Sequence, residues 1–291
     1  MKNNILVLMF LSLFAGMSYC EDVKKTSVWE VSKYIDGNKK FLYIAGSIHT
    51  LRVIDYPLPA IFDIAFNESD ELILELDSGL MNSSSSQEKF MKLMMLQEGG
   101  FLKDIISEGN YKTVHEYFKI HQIPVETFSR MSPVGISLLI SQIELSKLNF
   151  LPTGVDSYFD DKAKEKEIKR SYLETIDEQI KFLSLIGDDP DKGIEYSFKD
   201  ISQFKYIIDD MVDAWRAGTQ LDSITTDFKI DYPEIYEGLI VERNTNWLPK
   251  IENEFQDDEI EFVLVGVGHL MGDDSLLNML KANGYTVKQL D

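Results

Sequence analysis

One short motif occurs twice in this chain, near its two ends, and each copy follows an apolar segment. Gly-x-x-His stands at 46–49, after Phe41–Ala45, and again at 266–269, after Phe262–Val265. Short apolar runs that end at a glycine are typical of buried strands. Each motif is followed by helical spacing and then by a second apolar segment. The pattern predicts one β-Gly-x-x-His-α-β unit that is used twice.

The segments after the two motifs complete each unit. They are predicted helices at Leu58–Phe66 and Asp274–Ala282 and predicted strands at Glu71–Leu76 and Tyr285–Leu290. A strand-helix-strand unit of this kind is a parallel crossover, and open α/β sheets bind their ligands at the carboxyl ends of the strands. We therefore expect His49 and His269 at one edge of the sheet, where they face a single cleft if the two units are neighbours.

The long segment between the units, at about 87–255, is dominated by helical periodicity. Five stretches show it most clearly: Phe90–Leu96, Val114–Ile120, Gly135–Leu145, Ile201–Trp215 and Tyr232–Phe255. Ile168–Leu173 is the best candidate for a strand within this segment. The sequence predicts an α/β (α+β) fold, in which a mixed central sheet built from the two units carries a large helical insertion beside the cleft.

The first 20 residues have the pattern of a secretory signal peptide. Lys2 supplies a positive charge, Ile5–Phe14 is apolar, and the predicted cleavage point is close to Cys20. We therefore expect a secreted or periplasmic protein with one domain at 21–291. Lipid anchoring at Cys20 is less favoured, because Tyr19 stands where a small residue is preferred. No later segment reaches about 20 consecutive apolar residues, so no membrane span is predicted.

The formal net charge of −20 restricts the partners of this chain. Nucleic-acid binding requires clustered Lys and Arg that displace counterions from phosphates, so no nucleic-acid partner is expected. Adhesion to an anionic membrane is disfavoured for the same reason. Cationic partners and metal ions remain compatible, and the composition leaves the oligomeric state open.

The two motif histidines and a nearby carboxylate have the composition of a catalytic metal site. Two imidazoles with one carboxylate suit zinc and related ions and leave a coordination position open for water. Such an ion activates water without a protein nucleophile. Glu75 follows the apolar residues 72–74, so we expect it at the same edge as His49, as a ligand or general base. Asp77 returns to the same strand face and is the weaker candidate.

A structural role for the histidines is the main alternative. A buried histidine at a strand end often bonds a backbone carbonyl, and either histidine alone would be assigned that role. Two histidines in matching contexts, each preceded by glycine, favour a shared functional site. His115 and His121 belong to a predicted amphipathic helix and the loop after it, at a spacing that does not bring them together. Both are predicted to lie at the surface.

An ordered set of motifs runs through nearly the whole chain after residue 20. The first four are Ser27–Val31, Tyr43–His49, Tyr56–Pro59 and Leu74–Asp77. The later ones are Gly154–Asp156 with Phe159, Leu173–Thr175 with Gln179, Arg243 and Asn244 with Trp247, Val265–Leu270, and Gly284 with Tyr285. Each motif alone is weakly specific, whereas the ordered set is specific, and in this set the chain resembles the TraB/GumN family.

This resemblance implies an α/β core shared with Tiki-like metalloproteases, erythromycin esterases and haem-binding ChaN-like proteins. In Tiki-type members the two Gly-x-x-His motifs and an acidic residue support metal-dependent peptide cleavage, and the matching residues here are His49, His269 and Glu75. The resemblance also implies a catalytic role for Arg243, which would hold a substrate carboxylate or stabilise an oxyanion. Three other matched residues would orient the histidines or contact substrate: Asp156, Glu174 and Asn244.

Three functions are consistent with this sequence. The first is a secreted or periplasmic hydrolase that uses a divalent Zn, Mn or Co ion to act on a peptide or protein. The second is a non-catalytic protein that binds haem or a metal, although the CxxCH motif of c-type haem attachment is absent. The third is a protein whose cleft recognises a partner. Bound metal with hydrolysis separates the first function from the others, a haem absorption band marks the second, and partner binding without metal marks the third.

Overall fold

The strands of the central sheet are β1 (Val28–Ile35), β2 (Asn38–Ser47), β3 (Glu71–Leu74), β4 (Lys169–Tyr172), β5 (Glu261–Gly266) and β6 (Thr286–Gln289). They belong to a computed structural model that describes residues 25–97, 99–199, 201–219 and 222–291. The predicted signal peptide and Cys20 lie outside these residues. Within them, the sheet is mixed and has six strands, in the order β4-β3-β5-β2-β1-β6.

The two predicted units are present and interlock in this sheet. β5 lies between β2 and β3 and runs parallel to both, so the first strand of the second unit separates the two strands of the first. Ser47 lies opposite Gly266 in the β2–β5 pair, which places the two Gly-x-x-His motifs side by side. β4 continues the parallel region beyond β3, whereas β1 pairs antiparallel with both β2 and β6.

The helices account for most of the remaining described chain. In order they are α1 (Ala60–Asn67), α2 (Ser84–Met94), α3 (Glu108–Ile120), α4 (Val125–Phe128), α5 (Pro133–Lys147), α6 (Val155–Glu165), α7 (Ile176–Ser184), α8 (Pro190–Phe198), α9 (Phe204–Ala217), α10 (Asp222–Asp231), α11 (Pro233–Tyr236), α12 (Arg243–Glu254) and α13 (Leu276–Ala282). α1 and α13 are the crossover helices of the two units, and the insertion between β3 and β5 is helical, with β4 as its strand. In the part of the chain that the structure describes, no helix combines the length and apolar character needed to cross a bilayer.

β1 is a strand that the hydrophobic pattern did not predict. It forms a hairpin with β2 through Asp36 and Gly37, whose φ angles of 50° and 82° suit a two-residue type I′ turn. An Asp-Gly pair between apolar segments is a strong hairpin signal. The Asp36-Gly37 turn therefore indicates a strand before β2, although the apolar spacing of β1 does not.

Helices cover both faces of the sheet. The side chains of β5 therefore alternate between two apolar clusters, one on each face. Phe262 packs with Trp215 of α9 on one face, and Val263 packs with Trp247 of α12 on the other. Trp215 Nε1 also donates to the carbonyl oxygen of Gly46 at 2.7 Å. Helices of the insertion therefore fix the strand ends that carry the two motifs.

Candidate active site

Three adjacent strands bring the main predicted residues to one edge of the sheet. His49 follows β2, Glu75 follows β3, and His269 lies in the 3-10 turn Val267–Leu270 after β5. His49 and Glu75 border a cleft of about 290 Å³. Its other walls include Ser78, Pro152, Asp156, Asp160 and Gln179.

Gly266 lies between the three predicted ligands and leaves space among them. A Cβ at this position would lie 3.2 Å from Glu75 Oε1, 3.6 Å from His269 Cδ2 and 3.8 Å from His49 Nε2. Any larger residue would enter the space that the three side chains surround. Glycine therefore keeps open the volume that an ion or a reacting group needs.

His269 is buried, with 4% of the residue exposed, and its neighbours determine its tautomer. Asn244 Nδ2 donates to the backbone carbonyls of His269 and Asp274, so its Oδ1 accepts from His269 Nδ1 at 2.8 Å. The lone pair is then on Nε2, which accepts from Arg243 Nη1 at 3.1 Å. Burial lowers the pKa of His269 to about 3, so the imidazole is neutral at pH 7.

Glu75 is buried but ionised. Its Oε1 accepts from the backbone N–H of Gly266 at 2.6 Å, and its Oε2 accepts from Arg243 Nη2 at 2.6 Å. Burial opposes the negative charge, but the Arg243 guanidinium and the nearby imidazoles outweigh it and hold the pKa of Glu75 at about 2. Oε1 lies 3.9 Å from His269 Nε2, so these two donor atoms are close together.

Arg243 connects the buried side chains of the site. It begins α12 directly after the π-helical turn Glu237–Glu242, and its guanidinium lies over Trp247, 4.7 Å from the ring centre. Its five N–H groups donate to four residues: Glu174, Glu75, His269 and the carbonyl of Leu239. Because every N–H group has a protein acceptor, the guanidinium orients the side chains of the site.

The buried charges in this network do not cancel. Glu75 and Glu174 share one guanidinium, that of Arg243, so two carboxylates and one cation give a formal charge of −1. Burial raises the pKa of Glu174 even though Arg243 opposes the shift. The uncompensated negative charge beside two imidazoles favours a cation at this position.

His49 is the exposed member of the pair, with 66% of its side chain accessible. Its Nδ1 donates to Asp156 Oδ2 at 2.7 Å, which leaves Nε2 on the side of Gly266. Asp156 raises the pKa of His49 above its ordinary value, although solvent weakens this effect at so exposed a side chain. Asp156 reaches His49 because Gly154 caps α6, where a Cβ would lie 2.1 Å from the carbonyl oxygen of Ile48.

Both histidines thus have the hydrogen bonds of metal ligands, because a protein acceptor fixes Nδ1 and Nε2 faces the other donors. Two imidazole nitrogens and one carboxylate are donors that Zn, Mn and Co accept. The donor set therefore has the chemistry of a divalent-ion site, and Gly266 leaves space beside it, but the three donor atoms do not all lie within 4.8 Å of one another. For an ion to bind, Arg243 Nη1 has to release His269 Nε2, and the His49 ring has to approach Glu75.

Three other predicted residues lie outside this group of donors. Asp77 caps a 3-10 turn by accepting from the backbone N–H of Gly79 at 2.8 Å. His115 is exposed on α3, as predicted. His121 is more buried than predicted, because its ring packs on Tyr117 at the end of α3, with centroids 4.3 Å apart.

Asp160 is a cleft residue that sequence reasoning did not identify. It is buried and accepts hydrogen bonds from Ser78 Oγ at 3.0 Å and Arg170 Nη1 at 2.7 Å. It stands four residues after Asp156 on α6, and residues at this spacing share a helix face. That spacing was the signal available in the sequence.

Two comparisons relate this chain to known proteins. A model of the TraB/PrgY/gumN family matches residues 27–289, a range that includes both Gly-x-x-His motifs. The Metalloprotease TIKI homolog of Nematostella vectensis is 20% identical over 309 residues, an alignment that covers 84% of this chain and 64% of that protein. The chain thus spans less than two thirds of the length of this curated relative.

Proposed function

Because the chain belongs to the TraB/PrgY/gumN family, we propose that it is a metal-dependent hydrolase of the peptidase type. One observation carries the proposal: each motif histidine bonds a protein acceptor through Nδ1 and leaves Nε2 beside Gly266 and Glu75. The name of the relative in Nematostella vectensis, a metalloprotease homolog, supports the same class of reaction.

The proposed ligands are Nε2 of His49, Nε2 of His269 and the carboxylate of Glu75. A divalent Zn, Mn or Co ion held there supplies Lewis acidity toward a carbonyl and lowers the pKa of water. Burial keeps His269 neutral, and Arg243 keeps Glu75 ionised, so both have the protonation states that ligands need. His49 has to lose a proton before it can serve as a ligand.

The remaining residues of the site have supporting roles in this proposal. Glu174 holds the Arg243 guanidinium through two hydrogen bonds, at 3.0 and 2.8 Å. Once Nη1 is free of His269, it can donate to the negative oxygen that develops when a carbonyl is attacked. Asp156 and Asn244 keep the two imidazole rings in position from opposite sides.

The proposed substrate is a peptide or protein that enters the cleft between the sheet edge and α6. Secretion or export to the periplasm through residues 1–20 is part of the same proposal. The acidic surface, with a net charge of −20, is compatible with substrates that carry positive charge.

The test is to measure metal content and metal affinity, followed by hydrolysis of a peptide library, on chelated protein resupplied with Zn, Mn or Co. We expect near-stoichiometric binding and metal-dependent cleavage in the wild type. Both should be lost in His49→Ala and His269→Ala and retained in His115→Ala, which removes an exposed histidine elsewhere. A folded wild type that binds none of the three ions would exclude the proposed mechanism.

A binding protein without turnover is the second candidate. It is favoured by the closed hydrogen-bond network, since Arg243 already occupies Nε2 of His269 and Oε2 of Glu75. Such a protein would hold a metal, haem or a protein partner in the same cleft. A haem absorption band, or metal binding without cleavage of any library member, would support it over the hydrolase.

A further inference from the structure

A second group of carboxylates lies at the opposite edge of the sheet from the cleft. Glu71 and Glu261 are the first residues of β3 and β5 and are partners in the register of these strands, and Glu259 precedes β5. One carboxylate oxygen from each of the three lies within 4.8 Å of the others. Glu71 is four residues before Glu75, or about 13 Å along an extended strand, so this acidic cluster is separate from the cleft.

Glu261 is the member of the acidic cluster whose charge is least compensated. It is 1% exposed, and its Oε1 has no hydrogen-bond partner among the residues that the structure describes. Burial, together with the negative charges of Glu254, Asp257 and Glu71, raises the pKa of Glu261 to about 8. A buried carboxylate directed at two others is unfavourable unless a cation or a proton joins it.

Lys169 is a cation that contacts the acidic cluster. Its Nζ lies 2.7 Å from Glu71 Oε2 and 3.3 Å from Glu259 Oε2. The lysine side chain is 62% exposed, whereas Glu71 and Glu261 are buried. One ammonium group and three carboxylates have a formal charge of −2 when all three carboxylates are ionised, which matches a divalent ion that displaces the proton from Glu261.

We propose that the acidic cluster is a second metal site, which binds Ca²⁺ and joins the starts of β3 and β5. Ca²⁺ takes six to eight oxygen ligands at about 2.3–2.6 Å, so oxygens on opposite sides of the ion lie about 4.6–5.2 Å apart. The three carboxylate oxygens all lie within 4.8 Å of one another, so they are close enough to contact one such ion. The cluster consists of carboxylates without imidazole, and this favours a hard cation over zinc. The proposal does not depend on the function of the cleft.

The experiment is thermal unfolding and calorimetric titration with CaCl₂ on chelated protein that carries His49→Ala, so that the cleft lacks one proposed ligand. One Ca²⁺ should bind per chain and raise Tm by about 3–5 °C when its concentration is roughly 50 times Kd. Adding Glu261→Gln should remove this response, because the buried carboxylate that completes the cluster is gone. Glu126→Gln, an exposed carboxylate on α4, is the charge-matched control and should respond like the parent.

A second variant tests the competition with lysine. Lys169→Met should tighten Ca²⁺ binding several-fold, because the ammonium no longer competes for Glu71 and Glu259. The proposal is overturned if the parent shows no response to Ca²⁺, or if Glu261→Gln responds as the parent does. Either result is independent of binding of Zn, Mn or Co by the wild-type cleft, so failure here and failure of the hydrolase proposal are distinguishable.

Discussion

The two Gly-x-x-His motifs place their histidines in opposite environments, although they end neighbouring parallel strands. His269 is enclosed by α12: Trp247 packs on its ring at 4.4 Å, and Asn244 and Arg243 bond its two nitrogens. His49 is mostly exposed and is held by one carboxylate, that of Asp156. Burial lowers the pKa of the first, and a neighbouring negative charge raises the pKa of the second.

This difference shows that the motif determines where a histidine lies, while the helices packed above it determine its charge. The site combines one rigid, neutral imidazole with one that exchanges protons and contacts with solvent. A ligand that has to enter and leave benefits from such an arrangement, since only the exposed side needs to move.

The largest expected difference between the two histidines is in stability. His269→Ala leaves Asn244 Oδ1 without its partner, removes one of the two acceptors of Arg243 Nη1 and creates a cavity, so we expect a loss of about 2–4 kcal/mol. His49→Ala removes an exposed pair with Asp156 and should cost about 0–1 kcal/mol. Urea unfolding of the metal-free variants measures both, with His115→Ala as the control. Equal losses of stability in His269→Ala and His49→Ala would contradict the proposed difference between a buried and an exposed histidine.

The second largest difference is expected between alanine variants of the first glycines of the two motifs, Gly46 and Gly266. In Gly46→Ala the new Cβ would lie 3.0 Å from Val267 Cγ2 and 3.3 Å from Ser27 Cβ, so overpacking should cost about 1–3 kcal/mol of stability. In Gly266→Ala the Cβ meets Glu75 Oε1, so metal affinity should fall while the fold survives. Unfolding curves and metal titrations of both variants test whether Gly46→Ala mainly lowers stability and Gly266→Ala mainly lowers metal affinity. Metal binding that is unchanged in Gly266→Ala would argue against a site at this position.

In the metal-free protein, the pKa values of the two histidines should be shifted in opposite directions from the ordinary value. Because the pKa of His49 is raised, its pair with Asp156 contributes stability below about pH 6.5, and this is lost as pH rises through the higher folded-state pKa. Because the pKa of His269 is lowered to about 3, stability is lost as pH falls below about 6.5, where the unfolded chain takes up the proton. NMR titration of the ring protons reports each pKa. Asp156→Asn should lower that of His49 and leave that of His269 unchanged.

The smallest effect is expected at Asp77. Its carboxylate accepts from the backbone N–H of Gly79, whereas the carboxylate of Asp156 accepts from His49. Asp77→Ala should cost about 0.5–1 kcal/mol of stability, as loss of a cap usually does, without a change in metal affinity. Asp156→Ala is the matched carboxylate variant and should weaken metal binding instead. A loss of metal affinity in Asp77→Ala would give this residue a direct part in the site.

Much of the sheet and its functional edge could be predicted, because short apolar runs with glycine at their ends identify buried strands. β2 to β6, the crossover helices and the helical insertion all lie close to their predicted positions. β1 was missed, since its signal lay in the Asp36-Gly37 turn. Asp160 was missed although its spacing from Asp156 was available, because only the packing of α6 places it in the cleft. The acidic cluster was missed because Glu71 and Glu259–Glu261 lie far apart in the chain.

The sequence by itself determined the repeated unit, the family and the position of His49, His269 and Glu75 at strand ends, because these follow from local periodicity and motif order. Only the tertiary structure decided that Asp156 reaches His49, that Arg243 bonds Glu75, Glu174 and His269 together, and that Glu261 is buried beside two carboxylates. Protonation and ligand geometry depend on burial and on charges within a few ångströms. Those distances arise only when segments remote in sequence pack together.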